Sequence, residues 1–362
     1  MNKEQKKEQL LDNLIAELNT QHNQYQFNIL AQIGKIHHPR AEKILIDFLK
    51  NEDASFRARA ARNLKNIGTY MAVVPLIFAL NDEEELVRAY AACSLGKIGN
   101  SSAVDSLIVS LKNDRSSYVR EYVAAALGNI ASPHSVESLI FSLKNDESTL
   151  VRLSCASALG QIGDIRAVEP LIDALENDLG ISDTVIEALG KIGDPRAIKP
   201  LINFLENENV FVREAIHKSP IKVKVYMTDD PEEDTDENWE FLFNVNKELF
   251  RQSIAKALGK IGGYRAPQIL IKLLDTDNEW TLLSVLRALS NFDKIVSYKP
   301  LVKLLKNDNY KVRLFALSLL KKFKWEPKNI EEELAYLTAI HFTHSERKIK
   351  RFGVQSEKTL PH

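Results

Sequence analysis

Catalysis and metal binding need particular side chains at particular spacings, and this chain offers few of them. His37-His38 and the pair His341 and His344 could each give a metal two nitrogen ligands, but no Cys or Asp clusters beside either to complete a set. Cys93 and Cys155 are the only cysteines. Both stand among small residues of predicted helices, which fits buried free thiols in a reducing compartment better than a disulfide framework. The acidic run 229–237 holds seven carboxylates and no base. It lacks the glycine and the ligand spacing of a calcium loop, so a solvated charge run is expected. No phosphate loop, Gly-x-Ser-x-Gly elbow or dinucleotide fingerprint follows a predicted strand. The expectation is therefore no catalytic residue, no cofactor and no metal site.

Charge does recur in one pattern. Asp82 and Arg88, Asp114 and Arg120, and Asp146 and Arg152 are each six residues apart. An acid in a turn and a base on the first turn of the next helix can pair along a stack. Such a ladder braces structure rather than binding a ligand, because paired charges more often set geometry than do chemistry.

The elements that would position these residues follow from a second recurrence. The tag Leu-Gly-x-Ile-Gly appears at Leu95 to Gly99, Leu159 to Gly163, Leu189 to Gly193 and Leu258 to Gly262, with Ala131 closing the copy that begins at Leu127. Degenerate copies begin at Leu30, Leu64, Leu289 and Leu320. Most are 30 to 34 residues apart and one gap is 69, so the chain is a tandem array with one interruption. Within one period, Val104, Leu107, Ile108 and Leu111 mark a helix A, residues 112–117 a polar turn, and Val119, Val123, Ala124, Leu127 and Ile130 a helix B. The tag glycines are expected to end helix B, because glycine readily takes the left-handed cap conformation. A single hairpin cannot bury both apolar faces, so hairpins must stack. The leucines seven residues after each opening arginine, Leu64, Leu95, Leu127, Leu159, Leu258 and Leu320, are the expected core.

Asp-x5-Arg, Leu-Gly-x-Ile-Gly and Arg-Ala-x-x-Pro-Leu-Ile (Arg166 to Ile172, Arg196 to Ile202) together resemble the HEAT-like repeats named after phycobilisome lyases, over about residues 24 to 324. The resemblance implies an all-α, right-handed solenoid of about eight or nine hairpins. It also opens activities found in such proteins: bilin lyase subunits, chromophore-protein chaperones, and iron hydroxylases of the deoxyhypusine type. The last hold iron with His-Glu dipeptides, and this sequence has none.

Three further expectations concern organisation. Residues 1–23 should form an N-terminal capping helix, with an apolar stripe at Leu10, Leu11, Leu14, Ile15 and Leu18. Residues 325–362 should form a C-terminal capping helix and basic tail. The interruption, at about 217–249, should be a β-hairpin finger: Ile221, Val223, Val225 and Met227, then Trp239, Phe241, Phe243 and Val245, alternate with strand period around the acidic run.

The surface left for function lies on helix B, at positions two, five and nine after its opening arginine. In this repeat type that face is the concave one. Arg59, Arg62, Tyr90, Lys97, Tyr122 and Asn129 on it, with Trp239 and Phe241 of the finger, are the candidate partner-binding residues. The leading expectation is a non-catalytic scaffold for a protein partner, with no small-molecule ligand. A formal net charge of -1 gives no overall pull toward nucleic acid or anionic membrane. Residues 294–362 hold 15 Lys or Arg against seven Asp or Glu, which keeps nucleic-acid binding as an alternative. With no charged-then-apolar leader and no run of about 18 apolar residues, a cytoplasmic place and no membrane partner are expected.

Overall fold

The structure, a computed structural model, describes residues 2–20, 23–207 and 236–341. It is an all-α solenoid fold, and its contacts divide the chain into two compact units, Met1–Ala188 and Leu189–His362.

The first unit begins with α1 (Lys3–Thr20) packed on α2 (Asn23–Ile33). Leu11, Leu14 and Leu18 of the expected stripe are buried, while Leu10 is exposed. Hairpins follow as α3 (Pro39–Phe48) with α4 (Ala54–Ile67), α5 (Tyr70–Ala79) with α6 (Glu85–Ile98), α7 (Val104–Asn113) with α8 (Ser117–Ile130), and α9 (Val136–Asn145) with α10 (Thr149–Ile162). Then come α11 (Val168–Asn177) and α12 (Ser182–Ile192), inside which the division between units falls. The B helices α4, α6, α8 and α10 pack successively against one another.

The expected core is where the period puts it. Leu64, Leu95, Leu127, Leu159, Leu189, Leu258, Leu289 and Leu320 are each at most 1% exposed. The tag glycines divide the labour in a way the spacing did not reveal. The last one does end its helix: Gly99 and Gly163 sit at φ 75° in the left-handed region, and Ala131 is forced to φ 56° in the same place. The first one does not. Gly96, Gly128 and Gly160 are buried within their helices, and a Cβ on them would come within 2.6 to 2.8 Å of Ala126, Ala158 and Ala188 on the next B helix. Glycine there is a packing requirement that lets neighbouring helix backbones approach closely.

The second unit continues with α13 (Ile198–Glu206), α14 (Asp236–Ile261), α15 (Ala266–Lys272), α16 (Glu279–Leu289), α17 (Lys299–Lys303), α18 (Tyr310–Lys322) and α19 (330–341). The glycine contact is repeated, Gly190 meeting Ala257 and Gly259 meeting Ala288. Buried Phe204 and Phe250, rings 5.3 Å apart, pin α13 to α14.

The β-hairpin expectation fails here. α14 is a 26-residue helix running through the segment read as the second strand, so Trp239, Phe241, Phe243 and Val245 are helical. Two physical signals favour the helix. Leu242 breaks the alternation, and no Gly or Pro interrupts residues 236–258, so the apolar series Trp239, Phe243, Phe250, Ile254 and Leu258 runs at helical spacing into the Arg251 helix. The supposed first strand, residues 221–227, lies outside the described residues.

Candidate functional site

The charge ladder is built from six-residue motifs, but its rungs join different repeats. Arg88 donates from Nε and Nη2 to both carboxylate oxygens of Asp114, at 2.7 and 3.1 Å. Its Nη1 meanwhile donates to the carbonyls of Asp82 and Glu83 in its own turn. The same fork joins Arg57 to Asp82 and Arg120 to Asp146, and Arg152 reaches Asp178 through Nε. Three of the four carboxylates also accept a backbone N–H two residues on: Glu84 on Asp82, Ser116 on Asp114 and Ser148 on Asp146. One aspartate thus caps its own turn and receives the previous repeat's guanidinium, the bidentate geometry for which arginine is suited. The side-chain partner of each arginine is therefore one repeat further on than the six-residue spacing suggests. Burial alone would raise the Asp82 carboxyl, but hydrogen bonds from Arg57 and the Glu84 N–H, with the charges of Arg57 and Arg88, outweigh it and hold the group below its ordinary value.

The outward face of the B helices carries the candidate residues. Arg59, Arg62, Lys97 and Asn129 are exposed and Tyr90 and Tyr122 half-buried. Arg59 lies 4.0 Å above the Phe27 ring and Arg62 5.7 Å from that of Tyr90. One layer on, Tyr122 meets Tyr118 with ring centroids 4.9 Å apart and hydroxyls 3.3 Å apart. That hydrogen bond and partial burial push the Tyr118 phenol up to about 12. Desolvation raises the carboxyl of the adjoining Glu121. Cys93 is half-buried on this face rather than in the core, whereas Cys155 is fully buried, and burial pushes its thiol up and out of reach of ionisation.

Leu86, Tyr118 and Leu150, two residues before successive ladder arginines, are exposed apolar side chains on the first turns of α6, α8 and α10. Sequence reasoning passed over this column because it counted positions only forward from the arginine. A second apolar column also escaped it, on the A helices. Phe78, Val109 and Phe141, 31 and 32 residues apart, are 73%, 57% and 58% exposed. Their equivalence follows from the buried leucines Leu76, Leu107 and Leu139 two positions earlier.

Other candidates disperse. Trp239 and Phe241 belong to α14, in the second unit. His38 caps α3, its Nδ1 accepting the Arg40 N–H, and its Nε2 is 3.2 Å from Glu8. His341 ends α19, and His344 lies outside the described residues, as does the basic tail. Among the described residues no three His, Cys, Asp or Glu side chains are grouped to hold a metal, and no helix is long and apolar enough to cross a membrane.

A sequence profile for HEAT repeats matches residues 43–127, 73–156, 104–181, 136–219 and 240–321. No curated protein matches the chain in sequence. Solved structures do. The complex of CpcE and CpcF of phycocyanin lyase from Nostoc matches at 21% identity, covering 75% of this chain and 94% of that one, with a TM-score of 0.40. An engineered protein matches at 20% identity over 59% of this chain and 97% of its own, with a TM-score of 0.35. Human deoxyhypusine hydroxylase in complex with glycerol matches at 18% identity over 79% and 96%, with a TM-score of 0.33.

Proposed function

The chain belongs to the HEAT-repeat family, and from that premise we propose that it is a non-catalytic scaffold which grips a partner protein on the B-helix face of its first unit. One observation carries this reading. Leu86, Tyr90, Tyr118, Tyr122 and Leu150 turn aromatic and aliphatic surface outward on α6, α8 and α10, with Arg59 and Arg62 on the adjoining α4, whereas the leucines that hold the stack are buried elsewhere on the same helices. Tyrosine and arginine are the side chains that most often dominate binding energy at protein contacts. Helix A and the glycine contacts hold this surface rigid, which lowers the ordering cost of binding. The helix Asp236–Ile261 runs through the second half of the expected finger and has no part in the reading.

The test is affinity capture with quantitative mass spectrometry, comparing the wild-type chain with the double variant Tyr90→Ala/Tyr122→Ala. Both side chains are only half-buried, so the variant should keep its circular dichroism and its melting profile. Specific partners should fall away from it. A folded variant that retains every wild-type partner would end the proposal.

A further inference from the structure

We infer that the segment held on this B-helix face is acidic and carries a bulky apolar side chain. The inference rests on the proposed scaffold role and specifies its partner chemistry.

The argument is one of charge left over. In the first unit Arg40, Arg57, Arg88, Arg120, Arg152 and Arg166 each sit on a carboxylate. Arg59, Arg62 and Lys97 do not: no carboxylate among the described residues lies within ion-pair distance of them. Two of the three are laid against aromatic rings instead, which fixes the direction of the guanidinium while leaving its outer donors to solvent. Unneutralised Arg59 and Arg62 on α4, packed against the helix α6 that carries Tyr90 and exposed Leu86, complement a segment in which carboxylates adjoin an aliphatic or aromatic residue. Carboxylates would lie toward the Arg59 end, and the apolar side chain toward the tyrosine pair. A nucleic-acid strand fits less well, because the half-buried Glu121 carboxyl next to Tyr118 would face its phosphates.

The experiment is selection of short peptides from a random displayed library on the full chain, followed by anisotropy titration of the winners and of a single-stranded oligonucleotide. Acidic peptides with a bulky apolar residue should win. Their affinity should fall with salt, and Arg59→Glu/Arg62→Glu should weaken it at least about tenfold. That variant should in turn favour basic peptides, which a merely unfolded protein would not do. Basic or uncharged winners that depend on Tyr90 and Tyr122 would overturn the acidic partner while leaving the scaffold reading intact. Winners indifferent to Tyr90→Ala/Tyr122→Ala would overturn both. Tighter, steeply salt-dependent binding of the oligonucleotide would overturn it in favour of nucleic acid.

Discussion

In the first unit, four guanidinium groups bridge successive repeats, each held by an aspartate of the next turn. The second unit stacks the same kind of hairpin with those side chains changed. Leu282 stands where the arginine would be, Thr276 and Asn307 where aspartates would be, and Arg251 turns to Glu248 three residues before it at 3.0 Å. Arg313 keeps its bonds to its own turn's carbonyls, Asn307 and Asp308. Both units nevertheless share the buried leucine layer and the contact of a tag glycine with the next helix's alanine. The stacking principle is therefore apolar and steric. The ladder is an addition that sets register and fixes the turns from which the B-helix face rises.

That contrast can be broken most sharply at a rung. Arg88→Ala leaves the buried Asp114 carboxylate without its partner and should cost about 3 to 5 kcal/mol by denaturant titration; Arg251→Ala, removing a more exposed pair, should cost about 1 to 3. Equal losses would mean the ladder adds nothing specific. Arg88→Leu/Asp114→Leu should recover much of the loss, because no stranded charge remains.

At positions the units share, the effects should match. Leu127→Ala and Leu258→Ala should each cost about 2 to 5 kcal/mol through lost burial and cavity formation. Next in size, Gly128→Ala and Gly259→Ala should each cost about 1 to 3 kcal/mol, since the new methyl meets Ala158 or Ala288. Hydrogen exchange resolved by segment would place each loss in its own unit.

Acid should act more on the first unit. Asp82 is depressed when folded, so its stabilisation is complete above the unfolded value near 3.8 and is lost as pH falls through the lower folded value. Exchange protection around α4 and α6 should therefore drop below about pH 4, and Asp82→Asn should remove that dependence. The smallest effect is a gain: Ala131→Gly relieves the left-handed strain and should stabilise α8 by about 1 kcal/mol.

Much of this was legible before any coordinates. The recurrence of Leu127 and its equivalents marked helix B and its buried layer, and Gly99 and Gly163 announced the helix ends, because these depend only on local conformation and on which side chains avoid water. The ladder's members were legible and their partners were not. Asp114 recurs with the same period as Arg88 and Arg120, so pairing within a repeat and pairing across repeats look alike in one dimension. Residues 239–245 misled for a related reason, since a short apolar run satisfies two periods and only its continuation into Arg251 distinguishes them.

By itself, then, the order of residues determined the repeat, its apolar positions and its caps, all of which are settled within one period of the chain. Which carboxylate each guanidinium reaches, why Gly96 and Gly128 cannot carry a side chain, and which apolar residues remain outside were decided only when neighbouring hairpins came together. These depend on distances between repeats, and such distances exist only in the packed stack.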